Sequence, residues 1–401
     1  MTSLRTLRVV ISGSTSIVSL SSLVNLQTLH LHKSTTTQIP SPSPLPSCAF
    51  DVPNTLGALT DLTLRGFYMF HVPVLKQLIS LSLVETRSLV DSIDNVLRCT
   101  SLTFLHLDRC CVFPDILLSK HLPLLATLEH SRFSLNHYSP HNSRNQQLVE
   151  LTESKRLFPS LTRLSCGAMS AYTLQRCAQA IPSLRHLTVS DLVPSPELLN
   201  LAHLESFQLK TGTFLVKDIL RSASTSSLTT LRINNGYDVD LRNLSRFTAL
   251  TSLDLIERAQ PYYPYSNNNA KKRQQQQQQQ HGQKNSGLDA LPHLPFLQTV
   301  AFPSTIPLSR IVTMYPNLTS IYILQPQHIS DLRPLLQTLS RLRVVEVFNS
   351  LSHLPLASLE TFASLPLLER LTSTNDYEEY SRARLLNIIH QRQTLPLPLE
   401  T

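Results

Sequence analysis

Residues Ser101–Cys110 read SLTFLHLDRC, and the spacing of their leucines decides the fold. Leu105 follows Leu102 by three positions, and Leu107 follows Leu105 by two. An amphipathic helix repeats apolar residues roughly every three to four positions, and a half-buried strand alternates strictly. The stretch fits neither element by itself, so it indicates a bend that leads directly into a short strand.

The same pattern, L-x-x-L-x-L with other apolar residues allowed, recurs along almost the whole chain. Repetition at a period of roughly 20 to 29 residues is the signature of a leucine-rich repeat. Here 23 residues separate Leu161 from Leu184, and 22 separate Leu228 from Leu250. The copies begin at Leu4, Leu26, Leu59, Leu78, Leu102, Leu184, Leu204, Leu228, Leu250, Leu297, Leu318 and Leu342, with weaker copies at Leu125, Leu161 and Leu368.

A stack of such units has a physical reason to form. The second and third leucines of each unit point inward from a short strand, and the residues between them point outward. One unit cannot bury its own apolar edge, but stacked units bury it together and pair their strands into one parallel sheet. We therefore predict an α/β fold, a curved leucine-rich repeat solenoid with the sheet on its concave face.

Helices and irregular turns are predicted on the convex face of this horseshoe. Four segments between the strands have the apolar periodicity of amphipathic helices. They are Ser88–Cys99, Tyr172–Ile181, Phe214–Ala223 and Leu332–Leu342.

The composition disfavours several other classes of protein. Of the 401 residues, 15% are charged, 41% are hydrophobic and only 8 are glycine, which argues against glycine-rich phosphate loops. The net charge of +8 is scattered in ones and twos, so we expect a solvated surface and neither a nucleic-acid nor a membrane partner. Six cysteines are too few for a disulfide scaffold. No stretch reads as a signal peptide or a transmembrane helix, and we expect a reducing location, in the first place the cytoplasm and as the alternative the nucleus.

Three polar insertions interrupt the repeats, at residues 33–55, 134–156 and 259–290. Ser, Pro, Asn and Gln dominate them, and such compositions cannot form a core, so these segments are predicted to be disordered. The third insertion contains a glutamine run and the basic cluster Lys271-Lys272-Arg273. This cluster is either a nuclear-localisation signal or a solvated group of charges.

The solenoid is predicted to span residues 1–375 and to end in a capping unit. Residues 376–393 read as a capping helix, and residues 394–401 form a tail. The apolar residues of this helix are Leu385, Leu386, Ile388 and Ile389.

Cysteine positions give the pattern a family likeness. In LRCTSLTFLHLDRC one cysteine, Cys99, precedes the strand and another, Cys110, follows it, and RCAQAIPSLRHLTVSD and TMYPNLTSIYI enter later strands similarly. Over roughly Leu4–Thr372 the chain resembles the leucine-rich repeats of intracellular proteins, of the ribonuclease-inhibitor type and the cysteine-containing type of F-box substrate receptors. The Asn or Cys that such repeats carry three residues past the third leucine is mostly absent, which implies less uniform turns. The F-box itself has no recognisable counterpart.

No catalytic or metal-binding motif is recognisable in the sequence. The patterns H-E-x-x-H, C-x-x-C, G-x-S-x-G, G-x-G-x-x-G and the P-loop do not occur. His30, His106 and His186 are expected at the outward middle position of their strands, in repeats that are not neighbours, so they predict no shared metal site. Cys110 and Cys111 are interpreted as one core thiol and one turn residue. We expect no enzymatic activity, no cofactor, no metal and no small-molecule substrate.

Outward positions of consecutive strands should align and form a binding surface. In the middle of the chain they form a mildly basic strip that would favour an acidic partner: Arg163, His186, Gln208, Lys210, Arg232 and Asn234. Toward the C-terminus they form an apolar and aromatic cluster: Tyr322, Leu324, Val344, Glu346 and Phe348. Exposed clusters of this kind are candidate binding hot spots, unless loops or the terminal helix cover them.

These features predict a non-enzymatic scaffold that recognises a macromolecule, in the first place a protein, as a monomer or within a hetero-complex. The family resemblance implies a substrate-recognition subunit of a ubiquitin-ligase complex, an analogy at the level of fold. Two alternatives stay open. One is a regulator of a small GTPase, similar to the Ran GTPase-activating protein, and the other is a fragment of an innate-immunity-type sensor.

Overall fold

The computed structural model of the protein describes residues 3–12, 20–34, 49–67, 69–86, 93–108, 110, 121–130, 158–170, 181–193, 204–211, 227–234, 241–255, 291–301, 308–323, 339–347, 356–373, 379–380 and 382–394. The chain divides into two compact units, Met1–Leu204 and Glu205–Thr401. Each unit is a run of leucine-rich repeats.

Parallel strands form the sheet of the first unit, and each pairs with the strand of the next repeat. A separate two-stranded parallel sheet joins β3 (Ala49–Asp51) to β5 (Met69–His71). The strands of the main sheet are β1 (Thr6–Ser12), β2 (Thr28–Ser34), β4 (Asp61–Arg65), β6 (Ser80–Val84), β7 (Phe104–Asp108), β8 (Thr127–His130), β9 (Arg163–Ser170) and β10 (His186–Val193).

The second unit repeats this arrangement and ends with one reversed strand. Strands β11 to β17 pair in parallel in chain order, and β18 pairs with β17 antiparallel. They are β11 (Ser206–Thr211), β12 (Thr230–Ile233), β13 (Ser252–Asp254), β14 (Thr299–Ala301), β15 (Ser320–Ile323), β16 (Val344–Val347), β17 (Arg370–Ser373) and β18 (Glu379–Tyr380).

The leucine spacing of the opening stretch has the predicted structural cause. Leu102, Leu105 and Leu107 are all 0% exposed, whereas Phe104 and His106 between them are half-buried. Leu102 enters the core from a turn, because its N–H donates to the carbonyl of Cys99, three residues earlier, at 3.0 Å. The same turn precedes Leu26, Leu59, Leu184 and Leu250. The fold class predicted from the repeats is confirmed.

A second regular feature joins each repeat to the one before it. The N–H groups of Thr103 and Phe104 both donate to the carbonyl of Ile79, which follows the first leucine of the preceding repeat. In six of the described repeats, a threonine hydroxyl donates to the equivalent carbonyl of the preceding repeat, at distances of 3.0–3.4 Å. These side chains are Thr60, Thr103, Thr162, Thr229, Thr251 and Thr319. A threonine after the first leucine therefore adds a hydrogen bond between repeats.

Buried thiols and a threonine occupy the turns around β7. Cys99 and Cys110 are 0% and 4% exposed, and burial raises the pKa of the Cys99 thiol. The Cys110 thiol donates to the carbonyl of Leu83 at 3.0 Å, and the Thr86 hydroxyl lies 2.9 Å from the Cys110 Sγ. Thr86 lies three residues past Leu83, the third leucine of its repeat, where the families that this chain resembles carry Asn or Cys. Cys111 lies outside the described residues.

The described residues cover only part of the helices that the sequence predicts. Helix α1 (Ile93–Leu97) lies within the predicted Ser88–Cys99 segment. Residues 339–342 of the fourth predicted helix form a turn, since the N–H of Leu342 donates to the carbonyl of Leu339. The rest of the fourth segment, all of the third and nearly all of the second lie outside the described residues. Two further helices, α2 (Leu308–Met314) and α3 (Leu356–Ala363), and a 3-10 helix (Leu241–Arg246) were not predicted.

The first insertion and the C-terminal segment differ from the predictions. Residues 49–51 of the insertion form β3, and Val52 is buried and donates its N–H to the His71 carbonyl, so this part contributes to packing. Residues 134–156 and 259–290 lie outside the described residues. The terminal helix α4 spans Arg382–Thr394 and packs against α3, but Glu379 and Tyr380 belong to β18. Because β18 pairs with the edge of β17, it supplies hydrogen-bond partners to backbone N–H and C=O groups that a longer helix would leave without partners at that edge.

Candidate functional site

The strands of each unit expose a face that we call the open face, formed by the side chains that alternate with the buried leucines. Strand register aligns one residue per strand across the first unit. None of these residues is buried. They are Arg8, His30, Thr63, Ser82, His106, Glu129, Ser165 and Thr188.

Two members of the predicted basic strip lie on the open face of the first unit. Arg163 is exposed, His186 is half-buried, and the two are register partners on β9 and β10. His186 lies at the level of Arg163, two residues before the level of His30 and His106, so its predicted middle position is corrected. The cause is that Leu187 fills the second-leucine position of its repeat.

The other four members of the strip lie in the second unit, where an unpredicted carboxylate changes their charge. Gln208, Lys210, Arg232 and Asn234 are all half-buried, and Gln208 is the register partner of Arg232. Asp254, the register partner of Arg232 on β13, is only 5% exposed. The Arg232 Nε lies 3.0 Å from the Asp254 Oδ2. Because this ion pair offsets the arginine charge, the strip is less basic here than predicted.

The predicted C-terminal cluster is not an exposed aromatic patch at Tyr322. The side chain of Tyr322 is 6% exposed, and its register partner Ala301 is 3% exposed. Asp254, Ala301 and Tyr322 are register neighbours on three consecutive strands of the open face, and all three are buried. Other atoms of the protein therefore cover this part of the sheet. Val344 and Glu346 are half-buried. Leu324 and Phe348 lie outside the described residues.

On β1, β2 and β4 the open face carries basic residues of which the sequence analysis names only His30, and that one only as a metal candidate. Arg8 and His30 are register partners, and so are His32 and Arg65. Arg8 and Arg65 are exposed, and the two histidines are half-buried. Their signal in the sequence is the outward periodicity of the first three repeats.

A polar contact links two central strands of the same face. The Ser82 Oγ lies 3.1 Å from the His106 Nδ1, and Glu129 is the register partner of His106 on the other side. Ser82 and Glu129 are half-buried, as is His106.

His130 occupies a position that apolar side chains fill in other repeats. It is the register partner of Leu107, which places it at the third-leucine position of its repeat, and it is 4% exposed. Burial is the main reason that its pKa is lowered from 6.5 to about 4, and the nearby Asp108 carboxylate partly opposes this change. His130 therefore belongs to the core and is neutral at pH 7.

The described residues show neither a metal-binding cluster nor a membrane-spanning helix. They contain no cluster of three or more His, Cys, Asp or Glu side chains arranged to hold a metal ion. Within the same residues no helix has both the length and the apolar character to cross a membrane.

Comparisons with known proteins end at the level of architecture. No family model and no curated protein matches the sequence. Among solved structures, the chain is similar to an internalin from Listeria monocytogenes at 14% identity and a TM-score of 0.31, with 92% of this chain and 80% of the internalin covered. It is also similar to a protein from Bacteroides fragilis at 14% identity and a TM-score of 0.34, with 66% of this chain and 70% of the other covered. The repeats and strand register described above, and not these similarities, establish the leucine-rich repeat architecture of the chain.

Proposed function

We propose that the chain is a protein-binding scaffold whose open face in the first unit recognises a macromolecular partner, and that its role is recognition and not catalysis. One observation carries this proposal: eight register neighbours, Arg8 to Thr188, remain accessible, while the second leucines of β2 to β10 are at most 4% exposed. The sheet therefore holds a row of varied polar side chains at fixed spacing.

The dimensions of this face suit a macromolecule. Eight strands give seven spacings of about 4.8 Å, so the row extends over about 34 Å along the sheet. Its side chains are held by strands anchored in the leucine core, so little ordering is needed when a partner binds. A small molecule would contact only a fraction of such a surface.

Within this class, we propose a substrate-recognition subunit of a ubiquitin-ligase complex, located in the cytoplasm or the nucleus. The proposal is supported by the resemblance of the repeats around Cys99 and Cys110 to the cysteine-containing type. Six cysteines in 401 residues are too few for a disulfide scaffold, which is compatible with a reducing compartment.

The experiment is affinity purification with quantitative mass spectrometry of captured proteins. The open-face variant Ser82→Arg plus Ser165→Arg places two long cations on the row. The matched control, Ser22→Arg plus Gln77→Arg, places the same charges on exposed turn residues before β2 and β6. We expect the open-face variant to lose partners that the wild type and the control retain.

Identical partner sets for all three proteins would contradict recognition on the open face. Ubiquitin-ligase subunits among the captured proteins would support the narrower role. Capture of a small GTPase in a nucleotide-dependent manner would favour the regulator alternative instead.

A further inference from the structure

We propose that Arg8, His30, His32 and Arg65 form a pH-dependent docking site for an acidic polypeptide segment. We call these four residues the Arg–His cluster. The inference rests on the proposed function, because it assigns a kind of partner to one part of the open face.

Strand register brings the four side chains together. Arg8 on β1 is the register partner of His30 on β2, and His32 on β2 is the register partner of Arg65 on β4. Neighbouring strands lie about 4.8 Å apart, and residues two apart along a strand lie about 6.6 Å apart on the same face. The two arginines therefore lie at opposite corners of a small patch with both histidines between them.

The charges around the histidines leave an excess of positive charge. Arg8 and Arg65 contribute two cations on β1 and β4. The anions are Asp61, at the start of β4, and Glu85, after β6. The Glu85 Oε2 lies 3.8 Å from the Arg65 Nε, with the arginine side chain 49% exposed, so this contact neutralises Arg65 only weakly.

Histidine supplies the pH dependence. Histidine is the side chain that commonly changes its charge near neutral pH, and the Arg–His cluster holds two of them. An imidazolium at either position would lie beside an arginine, where a bound carboxylate can contact both an imidazolium and a guanidinium. Acidic segments should consequently bind more tightly as pH falls.

A polypeptide segment fits this face better than a nucleic acid does. Farther along the open face of the same unit, β7 carries Asp108 and β8 carries Glu129, both accessible. A continuous phosphate backbone lying along the sheet would meet these carboxylates and be repelled. A peptide can place acidic residues on the Arg–His cluster and neutral or basic residues beyond it.

The test is fluorescence anisotropy with the full chain and a labelled glutamate peptide of about ten residues, at about pH 7.5 and 5.8. We expect about fivefold tighter binding at the lower pH, because each of two new exposed ion pairs contributes a factor of about two. His30→Gln plus His32→Gln should reduce this ratio to about one. The matched control, His121→Gln plus His293→Gln, removes two exposed histidines that precede β8 and β14 outside the open face, and it should retain the ratio. Circular dichroism confirms that each variant is folded.

Equal wild-type affinity at the two pH values, or an unchanged ratio in His30→Gln plus His32→Gln, overturns the inference. The inference is also overturned if a lysine peptide, single-stranded DNA or inorganic phosphate binds more tightly than the glutamate peptide. These failures are distinguishable from failure of the proposed function. If the protein captures open-face partners but does not bind the glutamate peptide, the proposed function stands and only this inference fails. If it captures no open-face partner, the proposed function fails, whether or not the peptide binds.

Discussion

Replacement of His130 by leucine is expected to remove a specific pH dependence of stability. A buried imidazole that is hard to protonate makes the unfolded chain the better proton acceptor, so stability falls as pH falls below the unfolded pKa. For His130 the window runs from 6.5, its ordinary pKa, down to about 4, its pKa in the fold. The difference corresponds to a loss of about 3 kcal/mol once both values are passed, and to about 2 kcal/mol at pH 5.

The assay is urea unfolding followed by circular dichroism, because the chain has no tryptophan for fluorescence. Carboxylates also titrate in acid, so the quantity to compare is the difference between variant and wild type at each pH. We expect the free energy of unfolding of His130→Leu, minus that of the wild type, to be about 2 kcal/mol larger at pH 5 than at pH 7.5. His121→Leu, which removes an exposed histidine of the same unit, should show no such change.

A constant difference between His130→Leu and wild type from pH 7.5 to pH 5 would refute the reasoning. It would mean that the imidazole reaches water, or a stabilising anion, when it is charged. Hydrogen exchange of peptides from β7 to β9 gives an independent measure, because acid should weaken protection there in the wild type more than in the variant.

Three further substitutions test the packing and the links between repeats by urea midpoint. Leu105→Ala removes a side chain that is 0% exposed, and we expect a loss of about 2–5 kcal/mol. Thr229→Val removes a hydroxyl that donates to the preceding repeat at 3.0 Å and should cost about 0.5–1.5 kcal/mol; no loss would make the bond structurally incidental. Gly66→Ala should cost more than about 1 kcal/mol, because Gly66 has φ +78° and its added Cβ would lie 2.9 Å from the Lys33 carbonyl oxygen, whereas Gly57→Ala has open space and should be nearly neutral.

The fold was predictable because its main determinant is local and repeated. Leu102, Leu105 and Leu107 specify a bend, a strand and two inward positions within six residues, and copies of that specification fix the parallel register. The positions of the helices were less predictable. The segment Leu332–Leu342 has helical periodicity, but its last four residues form the turn that leads Leu342 into the core.

The site was only partly predictable because exposure depends on residues far apart in the chain. Periodicity correctly places Tyr322 on the open face, yet its ring is buried there together with Ala301 and Asp254. The ion pair of Arg232 with Asp254 required counting the register from one repeat to the next. His130 was predictable in position but not in consequence, since its pKa follows from burial in the assembled core.

The shared carbonyl between repeats has a consequence for the length of the array. Leu228-Thr229 and Leu250-Thr251 are the same dipeptide at the same phase, and each threonine bonds the repeat before it in the same way. Excising residues 229–250 would join Leu228 to Thr251 and present Thr251 to the Glu205 carbonyl that Thr229 now uses. These hydrogen bonds are the same at every repeat, so a chain shortened by one repeat could still pair its strands in register. Asp254 would then be the register partner of Gln208 instead of Arg232.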